Sequence, residues 1–276
     1  MDLRRVRVGI EIKGVLKLYE GLRVVASGTK YMSALQNEAT FAITGLDADT
    51  RNTLLKESVQ FMYNPARKLS RITLEAGRVS TGLAQVFQGD IYSAELGNAP
   101  DFTVTIKAKT NNANNLKVVS ISGAAIEQLS AVAKRVADAN ELALRFDATD
   151  KQIARFSYSG NAAKAVEQLE RMGGVSALID DGALVVADKG KPIANRVKIL
   201  DMNSGMVGIP KAYMQGLVIG VQVTILIDEM VKIGGRVRIN SKTNPSVNGD
   251  YVIVELDFNI TTHDDAFFYT AKCEPL

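Results

Sequence analysis

The sequence predicts a mainly β protein: two antiparallel β regions flank a small α+β module, over residues 1–119, 120–190 and 191–276. Apolar and polar residues alternate with period two through both outer regions, as strands with one buried face require. The middle region changes to a spacing of three and four, which places apolar residues on one side of a helix. Between the first two regions stands "NNANN", Asn111 to Asn115. Asparagine disfavours regular structure and tolerates turn geometry, so this stretch reads as a linker or long turn.

In chain order, Val6, Val8, Ile10 and Ile12 share one strand face, with Arg5, Arg7, Glu11 and Lys13 opposite. "EATFAIT" repeats the pattern through Ala39, Phe41 and Ile43. "DADTRNTLLKES" reads as a short helix, with Asp47 or Asp49 as N-cap and Leu54 and Leu55 turned inward. "KLSRITLEAG", "QVFQGDIYSAEL" and "DFTVTIKAKT" supply three more strands. Beyond the asparagines, "SGAAIEQLSAVAKRVADAN" forms an amphipathic helix through Ile126, Leu129, Ala133 and Val136. "LALRF" and "IARFSYSG" follow as strands. A second helix, "NAAKAVEQLERM", buries Val166, Leu169 and Met172 and stops at Gly173 and Gly174. "VSALIDDGALVVADKG" is a hairpin turning at Asp181 and Gly182. From Ile193 period two returns in "GLVIGVQVTILID", "VKIGGRVRI" and "YVIVELDFNITTHDDAFFYTAKCE". In the last of these Val252, Val254, Leu256, Phe258 and Ile260 share a face.

Composition limits the chemistry. The chain has 276 residues, 46% of them hydrophobic, so a sizeable core is available. No apolar run is long enough to cross a bilayer, and "MDLRRVRVGIEI" lacks the apolar segment of a signal peptide, so no membrane partner is expected. A net charge of +3 is too small to indicate nucleic acid. Its excess lies in residues 1–119, which carry 16 basic and 11 acidic side chains spread along strands, and no sequence-specific nucleic-acid partner follows. One histidine, His263, sits beside Asp264 and Asp265 between two alternating segments, where a solvated turn explains all three. One cysteine, Cys273, rules out an intrachain disulfide and reads as a structural thiol on a strand. "DADTRN" fails as a calcium loop, because Arg51 occupies the third ligand position and Ser58 stands where a bidentate glutamate is needed. No glycine pattern fits a phosphate loop or dinucleotide fold, and no G-x-S-x-G elbow is present. No catalytic, cofactor or metal residue is therefore assigned, and the chain is not expected to be an enzyme.

Several stretches together resemble the baseplate hub proteins of contractile-tailed bacteriophages, the group that shares the fold of the phage T4 hub. The resemblance rests on "NEATFAITGLDADTRNTLL", "ITLEAGRVSTGLAQVFQGDIYSA" and "APDFTVTIKAKT" in the first region. In the middle it rests on "RFSYSGNAAKAVEQLERMGGVSALIDDGALVVADKG". At the end it rests on "SGMVGIPKAYMQGLVIGVQVTILID" and on "IGGRVRINSKTNPSVNGDYVIVELDFNITTHDDAFFYTAKCEP". "GMVGIP" and the hairpin from "NGDYVIVELDFNI" to "FFYTA" are the most specific pieces. The resemblance implies that residues 1–119 and 191–276 are two tube-like domains at the end of a tail tube. It implies a virion protein that assembles in the host cytoplasm as a homotrimer, with a hexamer as the alternative. The implied partners are a tail tube or tube-initiator protein, a spike protein and a tape-measure protein. The role so implied adapts a sixfold tube to a threefold spike. A hub-type or tube-initiator component of a type VI or related contractile injection apparatus is the alternative. A tail-associated cell-wall hydrolase is a distant third, against which the missing acidic catalytic pair argues.

Residues 205–216, "GMVGIPKAYMQG", read as a segment between strands that carries many apolar side chains. Met206, Ile209, Pro210, Tyr213 and Met214 are accordingly the candidate subunit-interface residues, with Pro210 stiffening the segment before docking.

Overall fold

A computed structural model describes residues 2–63, 69–115, 117–193, 196–216 and 218–276. Lys68 and Leu217, read above as strand residues, lie outside these. The first region supplies β1 (Arg4–Ile12), β2 (Val15–Glu20), β3 (Arg23–Tyr31) and β4 (Glu38–Thr44). Helix α1 (Ala48–Tyr63) follows, then β5 (Arg71–Arg78), β6 (Gly82–Leu96) and β7 (Val104–Lys109). The middle region begins with β8 (Val118–Ser122), β9 (Ile126–Gln128), α2 (Leu129–Ala139) and β10 (Ala143–Asp147). It continues with β11 (Gln152–Ala154), β12 (Ser157–Asn161), α3 (Lys164–Gly173), β13 (Val175–Asp180) and β14 (Ala183–Asp188). The last region holds β15 (Val197–Leu200), β16 (Met206–Gln215) and β17 (Val218–Leu226), then β18 (Arg236–Ile239), β19 (Gly249–Thr261) and β20 (Phe267–Pro275).

Among the described residues the two outer regions share one thirteen-stranded sheet, in the order β16-β17-β20-β19-β3-β4-β7-β6-β5-β1-β2, with β15 and β18 branching from β19. The regions meet at β19 and β3, which pair antiparallel from Glu255 with Tyr31 to Thr261 with Val25. Period-two alternation puts Val8, Ile10, Phe41, Ile72, Leu74 and Ile106 on the buried face. The rings of Phe41, Phe87 and Phe258 meet at centroid distances of 5.9 and 6.0 Å, so one aromatic cluster spans both regions. Each such side chain contributes about 1.5–3 kcal/mol by leaving water. Gly28 is part of this packing: a Cβ there would lie 2.6 Å from the Phe258 ring. The glycine leaves room for that ring beside β3.

The middle region has its own core, in which α2 and α3 cover the three-stranded sheet β10-β14-β13. Val166 and Leu169 are fully buried and Met172 is packed beside them, as the helical spacing predicts. Gly174 takes the left-handed conformation that ends α3, and Asp181 and Gly182 both adopt positive φ at the β13–β14 turn.

Several local expectations give way to pairing. The first middle helix begins at Leu129, because Ile126 to Gln128 pair with Gln152 to Ala154 as strand. Ile126 is therefore exposed and is no part of the helix core. "IARFSYSG" divides into β11 and β12 at Arg155, whose φ of 50° breaks the extended run. "NNANN" is an ordered 3₁₀ turn with Asn112 buried and no loose linker. The Asn111 amide donates to Asn140 Oδ1 at 2.8 Å, and Asn115 donates to Gln36 Oε1 at 3.1 Å. Val118 and Val119 belong to β8, which pairs with β12 in the middle region. Asp47 is the α1 cap, its Oδ1 accepting the Thr50 N–H at 2.8 Å, and of the two leucines Leu54 is buried while Leu55 is half-buried. In β19 a bulge falls between Ile253 and Glu255, so Ile253 enters the core and Val254 is only half-buried.

Candidate assembly interface

Residues 206–215 are not a segment between strands. They are strand β16 itself, at one end of the sheet path, hydrogen-bonded to β17 on one side only among the described residues. The glycines and proline that interrupt its alternation mark a bulge between Val207 and Lys211. Gly208 sits there with a φ of 70°, a conformation open to glycine at no steric cost.

This placement sorts the five candidate residues. Met206 is 7% exposed and Pro210 is buried, so both face the chain's own interior. The Pro210 carbonyl also accepts a hydrogen bond from Asn244 Nδ2 at 3.0 Å. Ile209 is 58% exposed and Met214 is 74% exposed. Tyr213 is half-buried, its ring lying over Gly220, and burial pushes its hydroxyl pKa up to about 12. Opposite Met214 in register stands Ile219, 66% exposed, which periodicity did not single out. The β16–β17 hairpin overhangs here, because β20 pairs with β17 only from Val221 onward. At the far end of the path β2 exposes Leu16 and Leu18 over Gly9. An unpaired strand edge with apolar side chains is a ready template for another strand.

His263 and Cys273 occupy opposite settings in the last hairpin. His263 is exposed at the β19–β20 tip, its Nδ1 within 2.7 Å of Thr262 Oγ1. Cys273 is fully buried, and desolvation pushes its thiol well above the usual range, which makes it a poor nucleophile in the folded chain. Among the described residues no three His, Cys, Asp or Glu side chains gather to hold a metal ion. No described helix is long and apolar enough to cross a membrane.

Where the middle region meets the sheet, Lys30 forms an ion pair with Asp180, both nearly buried. Burial acts to raise the Asp180 pKa, and the Lys30 ammonium opposes it. Asn37 Nδ2 donates to the Ile179 carbonyl at 3.1 Å and the Ala34 N–H to Glu170 Oε2 at 3.2 Å. Leu178 and Val185 insert from this hairpin into the main core. None of these contacts was legible from motifs.

The two outer regions repeat one topology. Strand order β3-β4-β7-β6-β5 in the first is matched by β16-β17-β20-β19-β18 in the second. The register agrees around a shared bulge in the fourth strand of each unit. In β6 a bulge separates Ile91, opposite Ala108, from Ser93, opposite Lys107. In β19 a bulge separates Ile253, opposite Cys273, from Glu255, opposite Lys272. The Ile91 N–H donates to the Ser70 carbonyl at 2.8 Å, and the Ile253 N–H donates to Gly235 at 3.0 Å.

Solved tail proteins share this fold. A tail protein from Neisseria meningitidis MC58 superposes with a TM-score of 0.66 at 10% identity, over 98% of this chain and 96% of that one. The 43 kDa tail protein of prophage MuSo2 from Shewanella oneidensis gives 0.65 at 11% identity, over 98% and 96%. The E. coli c3393 protein, described as a component of the type VI secretion system, gives 0.60 at 7% identity, over 97% and 76%. No curated protein sequence matches the chain. The family model described as baseplate hub gp41 matches residues 5–273, and the chain belongs to that family. It is a structural baseplate hub protein, a component of the virion tail.

Proposed function

We propose that three copies of this chain close into a ring at the end of the tail tube and adapt the sixfold tube to a threefold spike. The observation that carries this reading is the internal repeat. Each chain holds two units of the same strand order and register, so three chains present six tube-like units on one side. The partners are then the tail tube or tube-initiator protein and the tape-measure protein on the tube side, with the spike protein opposite. Assembly takes place in the host cytoplasm before incorporation into the tail. The role is mechanical and needs no turnover, in keeping with a thiol and a histidine that packing and turn geometry already explain.

Native mass spectrometry of the purified protein tests this directly. A particle of three 29.8 kDa chains is the expected result. A six-chain particle would instead favour a tube-initiator role, and muralytic activity lost through one point substitution would favour a hydrolase.

A further inference from the structure

The internal repeat also assigns the strands that meet between copies. Within the chain, the C-terminal part of β19 gives its outer edge to β3. The equivalent part of β6, residues 93–96, carries no strand on that edge among the described residues. Its Ala94 N–H is held by Ser58 Oγ at 2.9 Å. The equivalent of β3 is β16, whose outer edge is likewise without a strand. The β16 half of the joint is thus open, and the β6 half is bordered by helix α1, which packs against β6 and would have to give way there.

We propose that β16 of one copy pairs antiparallel with residues 93–96 of the next, in the register of the β3–β19 joint and displacing Ser58 from Ala94. This rests on the ring-forming reading above. Register equivalence fixes the partners. Tyr213 pairs with Gly220 as Thr29 pairs with Glu38, and Glu95 pairs with Thr105 as Asp257 pairs with Thr270. Since Asp257 opposes Thr29, Glu95 opposes Tyr213 of the neighbour, Leu96 opposes Ala212 and Ala94 opposes Met214.

The side chains suit these positions on both faces of the sheet. On the polar face, Thr29 Oγ1 donates to Asp257 Oδ1 at 2.6 Å inside the chain. Tyr213 and Glu95 would repeat that hydroxyl-to-carboxylate bond, with Lys211 diagonal to Glu95. On the core face, Leu96 is 42% exposed, and Met214 and Ile219 are more exposed still. At the internal joint Lys30 and Leu256, the equivalents of Met214 and Ala94, are buried. A second copy therefore covers apolar side chains that the single chain leaves in water. The contact is heterologous, β16 on β6, so it repeats around a ring and closes the β16 edge, while the β2 edge at the other end of the path stays free for a different contact.

The test is a Glu95→Cys/Tyr213→Cys variant of the full chain, weighed by native mass spectrometry and then mildly oxidised. Buried Cys273 does not compete for the new thiols. Thr29→Cys/Asp257→Cys supplies the same geometry within one chain as a control. The expected result is covalent dimers and trimers on a denaturing gel that need both substitutions and vanish with reductant. Met214→Lys, at an exposed position that the single fold does not need, should raise the half-association concentration at least tenfold while leaving the circular dichroism unchanged. Assembled trimers that fail to cross-link while the control closes would overturn the joint and leave the three-copy reading intact. A chain that stays monomeric at every concentration would overturn both.

Discussion

His263 and Leu256 stand a few residues apart on one hairpin and differ in what the fold asks of them. His263 is exposed at the tip, so His263→Ala should shift the urea-unfolding free energy by no more than about 0.5 kcal/mol. Leu256 is buried against β3, and Leu256→Ala should cost roughly 2–5 kcal/mol in the same measurement, from lost transfer energy and the cavity left behind. Asp188 behaves differently again. The Lys191 ammonium and the Thr149 amide and hydroxyl hold its carboxyl down at about 2. A folded pKa below the unfolded one stabilises the fold at higher pH, and that contribution fades as pH falls from about 4 to about 2. Urea midpoints measured down this range should drop more for the parent chain than for Asp188→Asn.

Among the elements, the hairpin β13–β14 ties the middle region to the sheet through Lys30 and Asp180. Lys30→Ala should destabilise the chain by roughly 3–5 kcal/mol, because it strands a buried carboxylate. Lys30→Met with Asp180→Leu should recover most of that loss in thermal or urea unfolding, since two apolar side chains of similar volume need no partner charge. A double variant as unstable as the single would mean that the pair does more than neutralise itself. We further expect residues 118–189 to melt cooperatively when expressed alone, their helices being covered by their own strands. The exposed Leu178 and Val185 would then lower the fragment's solubility. The helix α3, the β13–β14 turn and the alternating strands were legible because each rests on local spacing. The bulge at Val254 was not, because an extra residue in one strand shows only against its partner's register. The β16 strand was hidden for a related reason: Gly208 and Pro210 punctuate the sequence as a loop does, yet the chain absorbs them in one irregular stretch. The short strand Ile126–Gln128 took its structure from a partner some 25 residues away, which outweighed helical periodicity.

For the molecule as a whole, the β3–β19 joint binds residues 25–31 to residues 255–261, and the middle region lies between them in the chain. The same arrangement that unites the fold imposes an order on its making. During synthesis at about 5–20 residues per second, β3 leaves the ribosome roughly 10–40 s before β19 is available to cover it. Its edge stays open throughout that interval, beside neighbouring nascent chains on the same message that carry the same open edge. Joints between distant segments also form slowly, because the closure entropy is lost before the contact is gained. The internal and external joints share one register, so a nascent β3 and a finished β16 compete for similar strands. Hub chains made in quick succession are therefore exposed to mispairing until β19 arrives, and a circular permutant that starts at β15 and joins the natural termini, leaving only β20, β1 and β2 between β19 and β3, should refold faster and aggregate less.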